Sequence, residues 1–233
     1  MKSILLELLV LGILTLKLFG EPSLDSMREE IKTMNLEKSK LFDKLCDSKK
    51  LLFNSSISKE NVESFQTSII ELIEFAKLRL TQTDTDQNSA IGRAEVVLDI
   101  LAKIHIASSH LIIDPDFNSF VASERDIRES KFLNVQIENS LIYKNLLDSK
   151  KLIKENERAA NRVSKSFLTI VALIDIIRNQ LIEVRISNAT EKSKIIEMMD
   201  VLGRLNLLSE SLIQKPTLDE AAYAVEIAPI LHD

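Results

Sequence analysis

The fold is decided by residues 160–184, which read ANRVSKSFLTIVALIDIIRNQLIEV. Apolar residues recur in this stretch at alternating steps of three and four, as they do along one face of an α-helix. These residues are Ala160, Val163, Phe167, Ile170, Ile174, Ile177, Leu181 and Val184. Leu168, Val171 and Leu173 widen the apolar stripe beyond a narrow seam. The spacing therefore predicts a helix that packs against several neighbours.

The same absence of helix-breaking residues extends well beyond this stretch. No Gly or Pro occurs from Asp116 to Leu202, a run of 87 residues, and the chain has only four of each. One unbroken helix of that length would span about 130 Å and could not fold back on itself. We therefore predict breaks at the polar residues 155–158 and 187–190. The chain is predicted to be all-α, an up-and-down antiparallel bundle of five to seven helices without a sheet; an elongated homodimer is the alternative.

Local signals predict where the other helices begin and end. Ser58 is a good N-cap, with Ile57 and Val62 placed as a hydrophobic staple. The polar residues 81–89, Pro115 and Pro216 are predicted to end helices. The predicted helices run from Leu24 to about Phe53, from Ser58 to about Leu80, from Ile91 to Pro115, through the long Gly-free region to Pro216, and from the capping box at Thr217 to near Pro229.

Residues 1–20 differ from the rest of the chain and predict a secretory signal peptide. Lys2 precedes a mostly apolar segment, and Gly20 stands at a plausible cleavage position before Glu21 and Pro22. Because Glu7 and Lys17 interrupt the segment, an uncleaved anchor or an amphipathic cytosolic helix stays open. We expect a secreted, periplasmic or cell-surface protein, with residues 21–233 forming a single all-helical domain.

Composition narrows the class of protein. The chain is 45% hydrophobic and 28% charged, which is the balance of an ordinary globular protein. Its net charge is −5 with both signs interspersed, so no basic surface for nucleic acid is expected. Cys46 is the only cysteine, which excludes an intramolecular disulfide, and its side chain is expected to be a small buried hydrophobe.

One loop has the spacing of a calcium site. Residues 84–89 read DTDQNS, and the same D-x-D-x-N-S pattern returns at residues 114–119. Calcium needs six to eight oxygen ligands, and the spacing of the first copy resembles an EF-hand loop. Its ligands would be Asp84, Asp86, Asn88 and Glu95. Ser89 replaces the usual glycine of such loops, and the alternative is ordinary turn and capping chemistry without any cofactor.

Other patterns predict no catalytic residues. His105 and His110 are five residues apart and lie on different faces of a helix, so we expect partly buried or surface histidines rather than a metal site. No phosphate-binding loop, nucleophile elbow or zinc motif is present. Glu71 and Glu74 flank an apolar face and are expected to be rim charges.

In style, the whole chain resembles the helical surface and outer-membrane proteins of spirochaetes. It is rich in Lys, Glu, Ile, Leu and Asn and poor in Gly, and it lacks Trp. The resemblance implies binding of a host protein or matrix component. Many of those proteins are acylated through a cysteine near the signal peptide, and this chain has none there.

Two hypotheses of function follow from these features. The first is an exported, non-enzymatic helical bundle that binds another protein. The second is a protein that associates with or inserts into membranes, with Phe167 to Ile182 as the inserting segment.

Overall fold

A computed structural model describes residues 24–86, 89–115 and 125–216 of the chain. These residues form nine α-helices and one short 3-10 helix, and the described ranges contain no strand, which confirms an all-α bundle. The helices are α1 (Leu24–Thr33), α2 (Phe42–Asn54), α3 (Lys59–Asp86), α4 (Ala90–Ile113), α5 (Arg125–Leu133), α6 (Tyr143–Glu155), α7 (Glu157–Lys165), α8 (Phe167–Ile186) and α9 (Glu191–Gln214); the 3-10 helix is Leu36–Lys38.

The helices outnumber the five to seven expected from sequence because three of the expected helices are divided, between residues 33 and 42, between 133 and 143, and at Ser166. The helix predicted from Leu24 to Phe53 is interrupted at Asn35, whose Oδ1 accepts from the backbone N–H of Glu37 at 2.9 Å. Ser39 then accepts from the N–H of Leu41 at 3.1 Å. Asn35 thereby caps the 3-10 helix, and Ser39 binds the backbone in the turn that precedes α2.

The predicted helix end before residues 81–89 was placed too early. Helix α3 continues to Asp86, because Thr hydroxyls there bond the preceding helical turn instead of opening a loop. Thr81 Oγ1 donates to the carbonyl of Lys77 at 3.1 Å, and Thr83 Oγ1 donates to that of Arg79 at 2.8 Å. Polar composition alone therefore misplaced this boundary.

The predicted breaks in the long Gly-free region are confirmed. Asn156 separates α6 from α7 and accepts from the N–H groups of Arg158 and Ala159. Thr190 caps α9 by accepting from the N–H of Ser193. Two further breaks were not predicted: residues 134–142 separate α5 from α6, and Ser166, whose N–H reaches the carbonyls of Arg162 and Val163, separates α7 from α8.

Other helix limits also agree with the sequence. The Ser58 hydroxyl accepts from the N–H of Asn61 at 3.3 Å, as an N-cap does. Helix α4 ends before Pro115 and α9 before Pro216. The signal peptide expected at residues 1–20 and the terminal helix expected at 217–229 lie outside the described residues.

The centre of the fold is the antiparallel pair α4 and α9. The Ser48 hydroxyl on α2 donates to the carbonyl of Ile112 near the end of α4 at 2.6 Å, while the adjacent Lys49 binds Asp200 in the first half of α9. The two helices must therefore run in opposite directions. Helices α2, α3, α6, α7 and α8 each pack on one or both of this pair in a single apolar core. Helix α5 makes a smaller contact with α4, and α1 packs on α8.

The predicted seam at residues 160–184 lies in this core. Seven of its eight apolar residues are buried, and Phe167, at the start of α8, is half-buried. Val171 and Leu173 are buried as well, whereas Leu168 is 54% exposed. The broad apolar stripe is explained by the two long helices that α8 contacts, α3 and α9.

The described residues comprise two copies of one helical unit. Helices α2 and α6 contain the same segment, Asp47–Leu51 and Asp148–Leu152, with the sequence DSKKL, and the two copies lie 101 positions apart. Helices α4 and α9 have that same offset, from Ala90 to Glu191 and from Ile113 to Gln214. Helices α1 and α5 also correspond, and α7 with α8 corresponds to α3. The described residues thus form a tandem duplication within one core.

The two copies are related by an approximate twofold axis, because their contacts come in reciprocal pairs. Four cross-copy ion pairs form two such sets: Lys49 with Asp200 and Lys150 with Asp99, then Lys77 with Asp175 and Arg178 with Glu74. In each set, adding 101 to the first-copy residue of one pair and subtracting 101 from its second-copy partner gives the residues of the other pair. The short helices also pack on the opposite copy: α1 of the first copy packs on α8 of the second, and α5 of the second copy packs on α3 of the first. Each copy therefore completes the core of the other.

This interlocked arrangement predicts that the two copies stay together without a covalent link. A protease site inserted between residues 116 and 124, once cut, should leave both fragments in one species on size-exclusion chromatography, because separation would expose the shared α4–α9 core to water. The uncut protein is the control. Elution of two separate folded fragments in native buffer would show that the copies are independent domains.

Candidate functional site

His105 on α4 and Asn206 on α9 occupy corresponding positions in the two copies and contact each other directly. His105 Nδ1 lies 3.2 Å from the carbonyl oxygen of Asn206. Asn206 Nδ2 donates to the carbonyl of His105 at 2.8 Å. Because a carbonyl only accepts, Nδ1 carries the proton of the neutral ring and Nε2 is the unprotonated nitrogen.

A pocket of about 220 Å³ lies over this pair. Its walls include corresponding residues from both copies, which places it at the axis: Lys40 with Leu141, Leu41 with Ile142, and Ser109 with Glu210. We call it the dyad pocket. Leu41 and Ile142 immediately precede α2 and α6, so the two helix starts bring these residues together.

The dyad pocket is charged on one side and apolar on the other. Lys40 Nζ lies 3.0 Å from Glu210 Oε1, and the same oxygen accepts from Gln214 Nε2 at 3.0 Å. Glu210 is only 8% exposed, whereas Lys40 reaches solvent. Opposite them, Leu141 is 83% exposed and Ile113 is 52% exposed. This asymmetry arises because the second copy has Leu141 where the first has Lys40.

Burial lowers the pKa of His105 below its usual value, because the charged ring would lose its hydration in the core. The hydrogen bond to Asn206 and the nearby Glu210 carboxylate act in the opposite direction, and Lys40 adds to the lowering. The burial effect is the largest, so His105 is neutral near pH 7. It is more deeply buried than the sequence suggested, since only 9% of the residue is exposed.

The arrangement offers hydrogen-bonding groups rather than an activated nucleophile. The Ser109 hydroxyl donates to the backbone carbonyl of His105 at 2.7 Å and does not reach the imidazole. A serine nucleophile needs a base that takes its proton, and this geometry provides none at Ser109. What the pocket can do is accept a side chain with an apolar body and a polar end.

The structure leaves the predicted calcium site untested. Asp84 and Asp86 lie on the last turn of α3, and Asn88 falls outside the described residues. Glu95 lies on α4, where its carboxylate pairs with Lys154 at 2.9 Å. In the described ranges, no group of three or more His, Cys, Asp or Glu residues is placed to hold a metal ion. Calcium binding by the four residues stays a prediction.

The remaining residues singled out in the sequence have structural partners or surface positions. Glu71 and Glu74 bind Arg128 and Arg178, as expected of rim charges. His110 is exposed. Cys46 is a free thiol and is half-buried rather than fully buried.

Sequence reasoning missed Lys40, Leu141, Asn206 and Glu210. A signal for them exists in the sequence, because the DSKKL segments set a register of 101 residues. That register pairs His105 with Asn206 and Lys40 with Leu141. The register therefore identifies the positions where the two copies have different residues. Only the fold shows that these positions lie next to each other in the dyad pocket.

Comparison with protein-family models, with curated proteins and with solved structures gave no match to this chain.

The buried His105 predicts a pH-dependent stability. Its pKa is lower in the folded than in the unfolded protein, so the unfolded chain takes up a proton first as pH falls below about 6.5. The free energy of unfolding should then decrease by up to about 1.4 kcal/mol per pH unit until the folded protein also protonates. His105→Asn, which copies Asn206, should remove this decrease in urea titrations between pH 5 and 8.

His110→Asn is the matched control, because His110 is exposed on the same helix; it should keep the pH dependence. An unchanged slope in His105→Asn would contradict the assignment.

Proposed function

We propose that this protein is an exported, non-enzymatic helical bundle that binds another protein through the dyad pocket. The observation that carries the proposal is the exposure of Leu141 and Ile113 beside a pocket with a polar floor. Exposed apolar residues that converge on a concavity are typical of protein-binding sites. Export is supported by the apolar segment in residues 1–20.

The chemistry of the pocket defines the part of the partner that enters it. Leu41, Ile106 and Ile142 supply apolar wall, and Lys40 with Glu210 supplies a charged pair at the edge. An aromatic or long aliphatic side chain with a polar end would bury its body against the wall and reach the charged pair. Tyr and Arg have this form and are frequent at the centres of protein interfaces.

The internal duplication provides a sharp test. Leu141→Lys places on the second copy the residue that the first copy has at Lys40, so the fold should be preserved while the apolar rim is lost. Pull-downs with the chain from residue 21 to 233 should recover an extracellular or surface protein that Leu141→Lys does not retain, with a loss of affinity of about tenfold or more. Leu147→Lys is the matched control, because Leu147 is exposed outside the pocket.

Equal retention of the same partner by the wild type and Leu141→Lys would overturn the use of this pocket. Unchanged helicity and melting temperature in both variants would show that any loss is not caused by misfolding.

The alternative proposal is association with or insertion into a membrane. Among the described helices, α4 is the one long and apolar enough to cross a bilayer by length and composition, with a mean hydropathy of 1.7 over its best window. The segment expected to insert, Phe167 to Ile182, lies entirely within α8, which carries Asp175 and Arg178. Because 61% of the α4 window is buried in the core, insertion would require the bundle to open.

Vesicle flotation with the same proteins separates the two proposals. Protein binding predicts that the wild type stays with the soluble fraction. Insertion predicts that the wild type and Leu141→Lys both float with the vesicles, because the substitution lies outside α4.

A further inference from the structure

A second cavity, of about 330 Å³, lies between α3, α4 and α5. Leu72, Phe75, Leu111 and Phe132 form its buried apolar wall, and Ala107 and Val135 are half-buried beside them. We call it the α5 cavity. Its size is at the lower end of the range of small-molecule sites, about 300–1,000 Å³.

The duplication contains an internal control for this cavity. The corresponding corner of the molecule lies between α8, α9 and α1, where Leu208 replaces Ala107, Met34 replaces Val135 and Met27 replaces Arg128. Leu208, Met34 and Met27 are all buried. Larger apolar side chains therefore take the places of Ala107 and Val135 in that corner. The backbone of this corner thus accepts Leu at the position of Ala107 and Met at that of Val135, whereas Ile176 and Ile31 replace the larger Phe75 and Phe132 there.

The mouth of the α5 cavity has an excess of positive charge. Arg128 Nη2 lies 2.8 Å from Glu71 Oε1, so these two charges compensate each other. Lys131, which also lines the cavity, is exposed and has no acidic partner among the described side chains. Arg125 lies over the ring of Phe75 at 5.9 Å from its centre. An anionic group at the mouth would face Lys131.

We propose that the α5 cavity binds a medium-chain fatty acid. The acyl chain occupies the space between Phe75, Leu111 and Phe132, where its burial is favoured by the hydrophobic effect. The carboxylate lies at the mouth beside Lys131. A neutral lipid of the same length lacks the group that the ammonium attracts, and a cationic amphiphile is repelled by the same charge.

Calorimetric titration of the full chain with decanoate tests the proposal. The wild type should bind decanoate with saturation at one molecule per chain. Ala107→Leu, which copies Leu208, should weaken binding by about tenfold or more, because the new side chain occupies the cavity. Val135→Met, which copies Met34, is a second filling variant in case the first does not fold. Ala189→Leu makes the same change at a half-buried position outside the cavity and should bind as the wild type does.

The head group is tested separately. Lys131→Met keeps the length of the side chain and removes its charge, and it should weaken decanoate binding by about fivefold, as expected for an exposed charge pair. Binding of decanol should be weaker than that of decanoate in the wild type and unchanged in Lys131→Met.

Absence of saturable decanoate binding by the wild type would overturn the proposal, as would equal binding by a folded filling variant. Equal affinity for decanoate and decanol would overturn the role of Lys131. None of these results depends on the dyad pocket.

Discussion

The antiparallel contact of α4 and α9 is the constraint on which the rest of the structure depends. His105 and Asn206 each bond the other's backbone carbonyl, and both are almost fully buried. A buried polar group that loses its partner costs more than the bond contributes when formed. A shift of either helix by one turn would break both bonds at once. The pair therefore fixes the register of the two central helices, and each copy builds outward from it.

Most of the stabilisation comes from apolar burial, and the reciprocal ion pairs have a different role. The side chains of Lys49, Asp200, Lys150 and Asp99 remain about one-quarter to one-third exposed, and exposed pairs contribute about 0–1 kcal/mol each. Their positions matter more than their energy. These two pairs each join an outer helix of one copy to a central helix of the other, and the other two join α3 to α8, so all four favour the exchanged packing over two separate bundles.

Sequence periodicity and capping predicted helix content, the seam at residues 160–184 and the breaks at Asn156 and Thr190. They did not predict the break at Ser166, because the apolar spacing continues across it. They also ended α3 too early, since the hydroxyls of Thr81 and Thr83 are satisfied within the helix. The dyad pocket could not be predicted from the sequence for a different reason. Lys40 and Leu141 are far apart in sequence, and only the register of α4 on α9 brings their loops together.

The central claim is that both copies form one cooperative core around α4 and α9. Native-state hydrogen exchange tests it most directly, because it reports the opening free energy of each helix. The account predicts that the backbone amides of α4 and α9 are the slowest to exchange and share one opening free energy, equal to that of global unfolding. Protection that persists in the helices of one copy while those of the other exchange freely would contradict it.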